Sequence, residues 1–262
     1  MDVSLIGKIA LVSGSTQGIG KATAEGLAGM GAKVILLARN EARLKTALRD
    51  LTTIADAGHD YFVADFSKPQ EVQDAVKEVL KKYPQINILV NNTGGPPAGK
   101  AIDASVEAFK SAFDMHLICN HIITTLVIEG MKKSGYGRII NVISTSVKQP
   151  LPNLGVSNTI RGAVANWSKT LSNELGPFGI TVNNVLPGAT ATARLDAIAE
   201  RKASQTGMSA DDVLIEMGKA SPLQRVAQPE EVANGICFLA SPAASYINGI
   251  NLPVDGGRTG SL

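Results

Sequence analysis

The sequence predicts an α/β protein built on a parallel sheet wound in both directions, with helices on both faces. Its short runs of Val, Ile and Leu lack polar alternation, the pattern of strands buried on both sides. These runs alternate with helix-length segments, so neighbouring strands must be parallel and joined by crossovers. No repeat, linker or composition break interrupts residues 1–262, which read as one domain.

Ile9-Ala10-Leu11-Val12-Ser13 is the first strand, and Gly14-Ser15-Thr16-Gln17-Gly18-Ile19-Gly20 is a small-residue loop opening a helix at Lys21. Strand, glycine loop and helix together make a setting for a pyrophosphate. The loop backbone approaches the ligand closely, and the helix start offers unpaired N–H groups and partial positive charge. A second strand, Ala32 to Asn40, ends in Ala38-Arg39-Asn40. In a dinucleotide fold this end meets the adenosine ribose. An acid there suits two ribose hydroxyls and an Arg suits a 2′-phosphate, so Arg39 favours NADP over NAD unless it is an ordinary surface arginine.

A polar helix spans about Glu41 to Ala55, and Asp60-Tyr61-Phe62-Val63-Ala64-Asp65 is a third strand ending in an acid. Lys68-Pro69-Gln70 starts a helix running to about Tyr83. The fourth strand, Ile86 to Asn92, is closed by Thr93-Gly94-Gly95-Pro96-Pro97, which must end regular structure. One long helix from about Ser105 to Lys133 carries Phe109, Phe113, Leu117, Ile122 and Leu126. Tyr136 to Ser144 is the fifth strand, Ser157 to Leu175 a helix, and Ile180 to Leu186 the sixth strand, capped by Pro187-Gly188. Residues 189–224 are too long for a plain connection and read as a substrate lid; one helix starts at Ser209, with Asp212 in capping-box spacing. Pro229 to Leu239 is the last helix, and Ile250 to Gly257 closes the sheet.

Composition excludes several functions. The 25 basic and 23 acidic residues are mixed along the chain, giving a net charge of +2 without a basic tract for nucleic acid or membrane. At 4% aromatics, stacking platforms for single strands are not expected. No transmembrane span or signal peptide is expected. Cys119, Cys237 and the three histidines form no metal-ligand spacing; the cysteines read as small buried hydrophobes kept reduced in a cytoplasm.

Taken in order, these motifs resemble the short-chain dehydrogenase/reductase family over nearly the whole chain, most closely its 3-oxoacyl-acyl-carrier-protein reductase group. They are the glycine loop, Asn91-Asn92-Thr93-Gly94, Gly137 to Ser144, Pro187-Gly188-Ala189-Thr190-Ala191-Thr192, Pro229-Glu230-Glu231-Val232-Ala233 and Val254-Asp255-Gly256-Gly257. The resemblance implies a Rossmann-like domain in which Gly14, Ser15, Thr16, Gln17, Gly18, Ile19 and Gly20 cradle the pyrophosphate. Arg39 and Asn40 would meet the 2′-phosphate end, Asp65 and Phe66 the adenine, and Asn91, Thr93 and Gly94 the cofactor's middle. Pro187, Gly188, Thr190 and Thr192 would lie against the nicotinamide. It also implies a homodimer or homotetramer paired through the two long helices, and a small carbonyl or alcohol substrate.

The family's catalytic group is a Ser, a Tyr, a Lys four residues after it, and an Asn on the preceding helix. Ser144 matches the serine; Ser157 stands at the Tyr position, Arg161 at the Lys position and His116 at the Asn position. Serine is a far weaker acid than tyrosine, and Arg161 stays protonated and relays no proton. Arg161 can still stabilise a substrate oxyanion, with the proton coming from water or from His116, whose ordinary pKa suits the task. The sequence therefore predicts an NADP(H)-dependent oxidoreductase with an atypical active site. The competing reading, favoured by loss of both Tyr and Lys, is a cofactor-binding sensor or partner subunit with little turnover.

Overall fold

The computed structural model describes residues 1–261, and its seven strands form one sheet. They are β1 (Ile9–Ser13), β2 (Lys33–Ala38), β3 (Asp60–Val63), β4 (Ile88–Asn91), β5 (Gly137–Val142), β6 (Ile180–Pro187) and β7 (Asn251–Val254). All are parallel, in the order β3-β2-β1-β4-β5-β6-β7. The order reverses between β1 and β4, which opens a crevice at their carboxyl ends.

Strand alternation divides the core. Val12, Leu36, Val90 and Val185 face one helical layer, formed by α1 (Gly18–Gly29), α2 (Glu41–Ile54) and α9 (Pro229–Ala240). Leu11, Ile35, Leu89 and Val182 face the other, where α3 (Pro69–Lys82) contributes Val72, Val76 and Val79. Both faces are covered, as the uninterrupted apolar strands require.

The expected long helix is α4 (Val106–Phe113), a π-helical turn (Asp114–Ile118) and α5 (Cys119–Ser134) in unbroken succession. By length and composition, residues 106–134 could cross a membrane, where the sequence reading found no such stretch. The buried Cys119, Ile123, Val127 and Met131 pack instead into the sheet's core. Next come α6 (Gly155–Leu175), α7 (Ala193–Thr206) and α8 (Ala210–Lys219), the last two within residues 189–224. Ser209 caps α8 as expected, its hydroxyl accepting from the Asp212 N–H at 3.1 Å.

β4 to β7 are further joined by a ladder of amides, buried at Asn91, Asn141 and Asn184 and half-buried at Asn251. Asn91 donates to Asn141 at 2.9 Å, Asn141 to Asn184 at 3.1 Å and Asn184 to Asn251 at 2.8 Å. Where α1 meets the sheet, a Cβ on Gly20 would stand 2.2 Å from the Gly14 carbonyl oxygen. Gly20→Ala should therefore lower the free energy of unfolding by about 1–3 kcal/mol, checked by urea titration.

Candidate active site

The crevice is a cleft of about 290 Å³ at the carboxyl ends of the strands. One end is the glycine loop, where Gly14, Gln17, Gly18 and Ile19 form the wall. The N-cap residue of α1, Gln17, makes no side-chain cap bond, and no acid lies in the first turn. The helix start therefore keeps its N–H groups and partial positive charge for a ligand. Ser15 is fully buried with an unpartnered hydroxyl. Gly94 faces open space, whereas a Cβ on Gly18 (φ +53°) would come 2.9 Å from Thr192 Cγ2. An uncapped helix start and glycine walls fit a nucleotide diphosphate.

Several expected residues lie here and others do not. Thr93, Gly94, Pro187, Gly188, Thr190 and Thr192 line the cleft. Ser15, Thr16 and Gly20 do not reach its wall; Gly20 serves helix–strand packing. Asn91 was expected along the cofactor but is 2% exposed and committed to the amide ladder. Its neighbour Asn92, which the sequence reading passed over, lines the cleft and donates to the Ser13 and Gly14 carbonyls, each at 3.2 Å. The Phe66 ring is buried among core residues such as Val72 and Ile123, so only its backbone is free to flank an adenine. Asp65 is a turn former, its carboxylate accepting from the Ser67 N–H at 2.9 Å, and that bond holds its pKa below the usual range.

At the ribose end, Arg39 is exposed and Asn40 caps α2, accepting from the Arg43 N–H. Arg43 is a further cation that sequence reasoning missed. Its guanidinium donates to Gln17 Oε1 at 2.7 Å and so stands beside the glycine loop.

Ser144, Ser157 and Arg161 all line the other end of the cleft. Ser157 and Arg161 are one turn apart on α6 and share a face. The Ser144 hydroxyl oxygen accepts from the Ser146 N–H at 3.1 Å, which leaves its proton free to donate. Arg161 is 6% exposed and donates to the Val142 carbonyl at 3.2 Å. Burial, then the charge of Arg194, pushes its pKa down to about 10, so it remains a cation at neutral pH.

His116 does not line the cleft, and its burial opposes the protonated form that a proton source needs. It is 1% exposed within the π-helical turn, and Nδ1 lies 2.7 Å from Thr93 Oγ1. Nε2 has no partner. Burial, then Arg161 and Arg194, holds its pKa down to about 2, so the ring is neutral at neutral pH. Arg194, in the first turn of α7, was not anticipated. It reaches across to donate to the Pro96 carbonyl. No group of three or more potential metal ligands occurs among the described residues. Cys119 and Cys237 are free, buried thiols with pKa values pushed up to about 12 by burial.

Residues 14–259 match the family model described as enoyl-(acyl carrier protein) reductase. The chain is 36% identical to a 3-oxoacyl-acyl-carrier-protein reductase of Synechocystis sp. over 97% of its own length and 98% of that protein's. Among solved structures it is similar to L-sorbose reductase from Gluconobacter frateurii, complexed with NADPH and L-sorbose. There the TM-score is 0.94, the identity is 32% and both chains are fully covered. It is also similar to a variant of actinorhodin polyketide ketoreductase with NADPH (TM-score 0.91, 30% identity, 97% and 98% covered). This chain belongs to the short-chain dehydrogenase/reductase family of oxidoreductases.

His116 makes stability depend on pH. Its folded pKa lies below the ordinary 6.5, so the unfolded chain binds the extra proton first. Its contribution is complete above pH 6.5 and is lost as pH falls toward about 2. His116→Asn should lose less stability than the native protein between pH 6.5 and about 4, read by urea titration at each pH.

Proposed function

We propose that this chain is an NADP(H)-dependent oxidoreductase interconverting a carbonyl and an alcohol, with Ser144, Ser157 and Arg161 as its polar active-site group. The observation that carries the reading is one acid-free cleft joining the glycine loop to these three residues. The bound coenzyme supplies or accepts a hydride. Ser144 and Ser157 donate hydrogen bonds to the substrate oxygen, and the Arg161 guanidinium stabilises the negative charge that develops there. Water entering the open cleft delivers the proton, because His116 is buried and neutral.

Arg39 and Arg43 bind the 2′-phosphate, Gln17 fixing the second of them. Residues 189–224 form the substrate lid, and α5 and α6 pair copies of the chain into a dimer or tetramer. The free thiols suit a reducing cytoplasm. Retention of the whole coenzyme frame favours turnover over the sensor reading.

Loss of NADPH absorbance across a panel of aldehydes and ketones tests the activity directly; no oxidation with any of them would leave only coenzyme binding. Arg161→Gln should lower kcat by about 10²–10³-fold, the range for removing one oxyanion donor, with NADPH binding kept. Replacing both Arg39 and Arg43 by Ala should weaken NADPH binding by about 10–100-fold in calorimetry and change NADH binding little.

A further inference from the structure

The cleft is lined by three arginines, Arg161, Arg194 and Arg258, and by no acid. Among the described residues, none of the three pairs with a carboxylate; every ion pair lies elsewhere. That is unusual for Arg161, because a buried charge is costly unless an opposite charge matches it. Its one hydrogen bond goes to a neutral carbonyl. The same holds for Arg194, which is partly buried and bonded to the Pro96 carbonyl. The two cations are close enough that the charge of Arg194 acts on Arg161 and both act on His116. A wider cavity of about 940 Å³ adjoins the cleft and shares Arg258 with it. Lys100, Arg201 and Lys202 also line it, against the single acid Asp103. Both cavities are therefore lined by an excess of positive charge.

We propose that the substrate is an oxo acid whose carbonyl oxygen lies at Ser144 and Arg161 and whose carboxylate is held by Arg194, with Arg258 beside it. This names a substrate class for the reductase reading and rests on it. A neutral ketone brings no carboxylate to the partly buried Arg194, whereas an oxo acid does. A planar guanidinium also matches a carboxylate in forked geometry. Arg161 and Arg194 line the same cleft as Ser144, which favours a carboxylate on the reacting molecule over the phosphate of a distant carrier. In reduction the hydride adds to the carbonyl carbon and a water-derived proton to its oxygen. NADPH becomes NADP⁺, and the carboxylate is unchanged.

Calorimetry compares acetoacetate and levulinate with their methyl esters and with acetoacetyl-coenzyme A, using the protein with and without NADP⁺. At least one acid should bind about tenfold or more tightly than its ester, the ordinary worth of a charge-assisted bond. Arg194→Gln should remove that preference, while Arg194→Lys, which keeps the charge, retains part of it; circular dichroism checks that both are folded. In NADPH oxidation, kcat/KM should favour the acid over its ester by a similar factor. Equal binding of acids and esters, binding of neither, a preference that survives in Arg194→Gln, or tighter binding of acetoacetyl-coenzyme A than of either acid overturns the proposal. Reduction of neutral ketones without acid preference sinks the substrate class and leaves the reductase reading standing. Failure to bind NADPH sinks the reductase reading, and acid binding to the coenzyme-free protein still decides the anion site.

Discussion

The shape of the cleft depends on the grip of Asn92 on the glycine loop. Its amide ties the end of β4 to the Ser13 and Gly14 carbonyls at the end of β1, across the point where the strand order reverses. No side chain fits beneath that grip. A Cβ on Gly14 would meet the Asn92 carbonyl oxygen at 2.5 Å, and one on Gly20 would meet both Gly14 and the Asn92 amide. Close packing here aims the uncapped start of α1 into the crevice, and the rest of the site is placed relative to it.

The far wall is held by polar pairing. The amide ladder runs through residues in register on four strands: Asn91 beside Asn141, Asn141 beside Asn184, and Asn184 beside Asn251. A slip of one residue on any strand would turn its amide to the opposite face and leave buried donors unsatisfied. Ser144 follows the end of β5 closely, and Pro187 ends β6. The register that satisfies the amides is therefore also the one that brings the active-site serine and the Pro187-Gly188 turn to the same edge.

The doubly wound parallel sheet, the glycine loop and the burial of the cysteines were legible because each follows from local composition or a short pattern. Less legible is what a neighbour distant in the chain decides. Asn91 and Asn92 are consecutive amides, and only the pleat of β4 says which one enters the sheet. Phe66 follows an acid at a strand end, yet core space between α3 and α5 takes its ring. The apolar spacing of Phe109, Phe113 and Leu117 fits a continuous helix, so it carries no mark of the π-helical turn that encloses His116. Arg43 had a usable signal, lying in the first turn of the helix that begins beside Arg39. Arg194 had none, since its importance comes from Arg161 and Pro96, both distant in sequence.

Under the proposed reading, the exchange of Tyr and Lys for Ser157 and Arg161 alters how the site divides its chemistry. A titratable pair would both stabilise the oxyanion and deliver its proton. Here the charge is fixed, because Arg161 stays protonated even with its pKa pushed down to about 10. The nearest histidine is held neutral by burial and by the same arginines. Stabilisation of charge and supply of a proton are thereby separated, the first belonging to the protein and the second to water. Such a site gains from every further positive charge that does not have to titrate. An acid placed to pair Arg161 or Arg194 would lower the cost of burying them, but it would also cancel the field that polarises the substrate. The absence of acids from the cleft is thus a condition of the chemistry as much as a guide to the ligand.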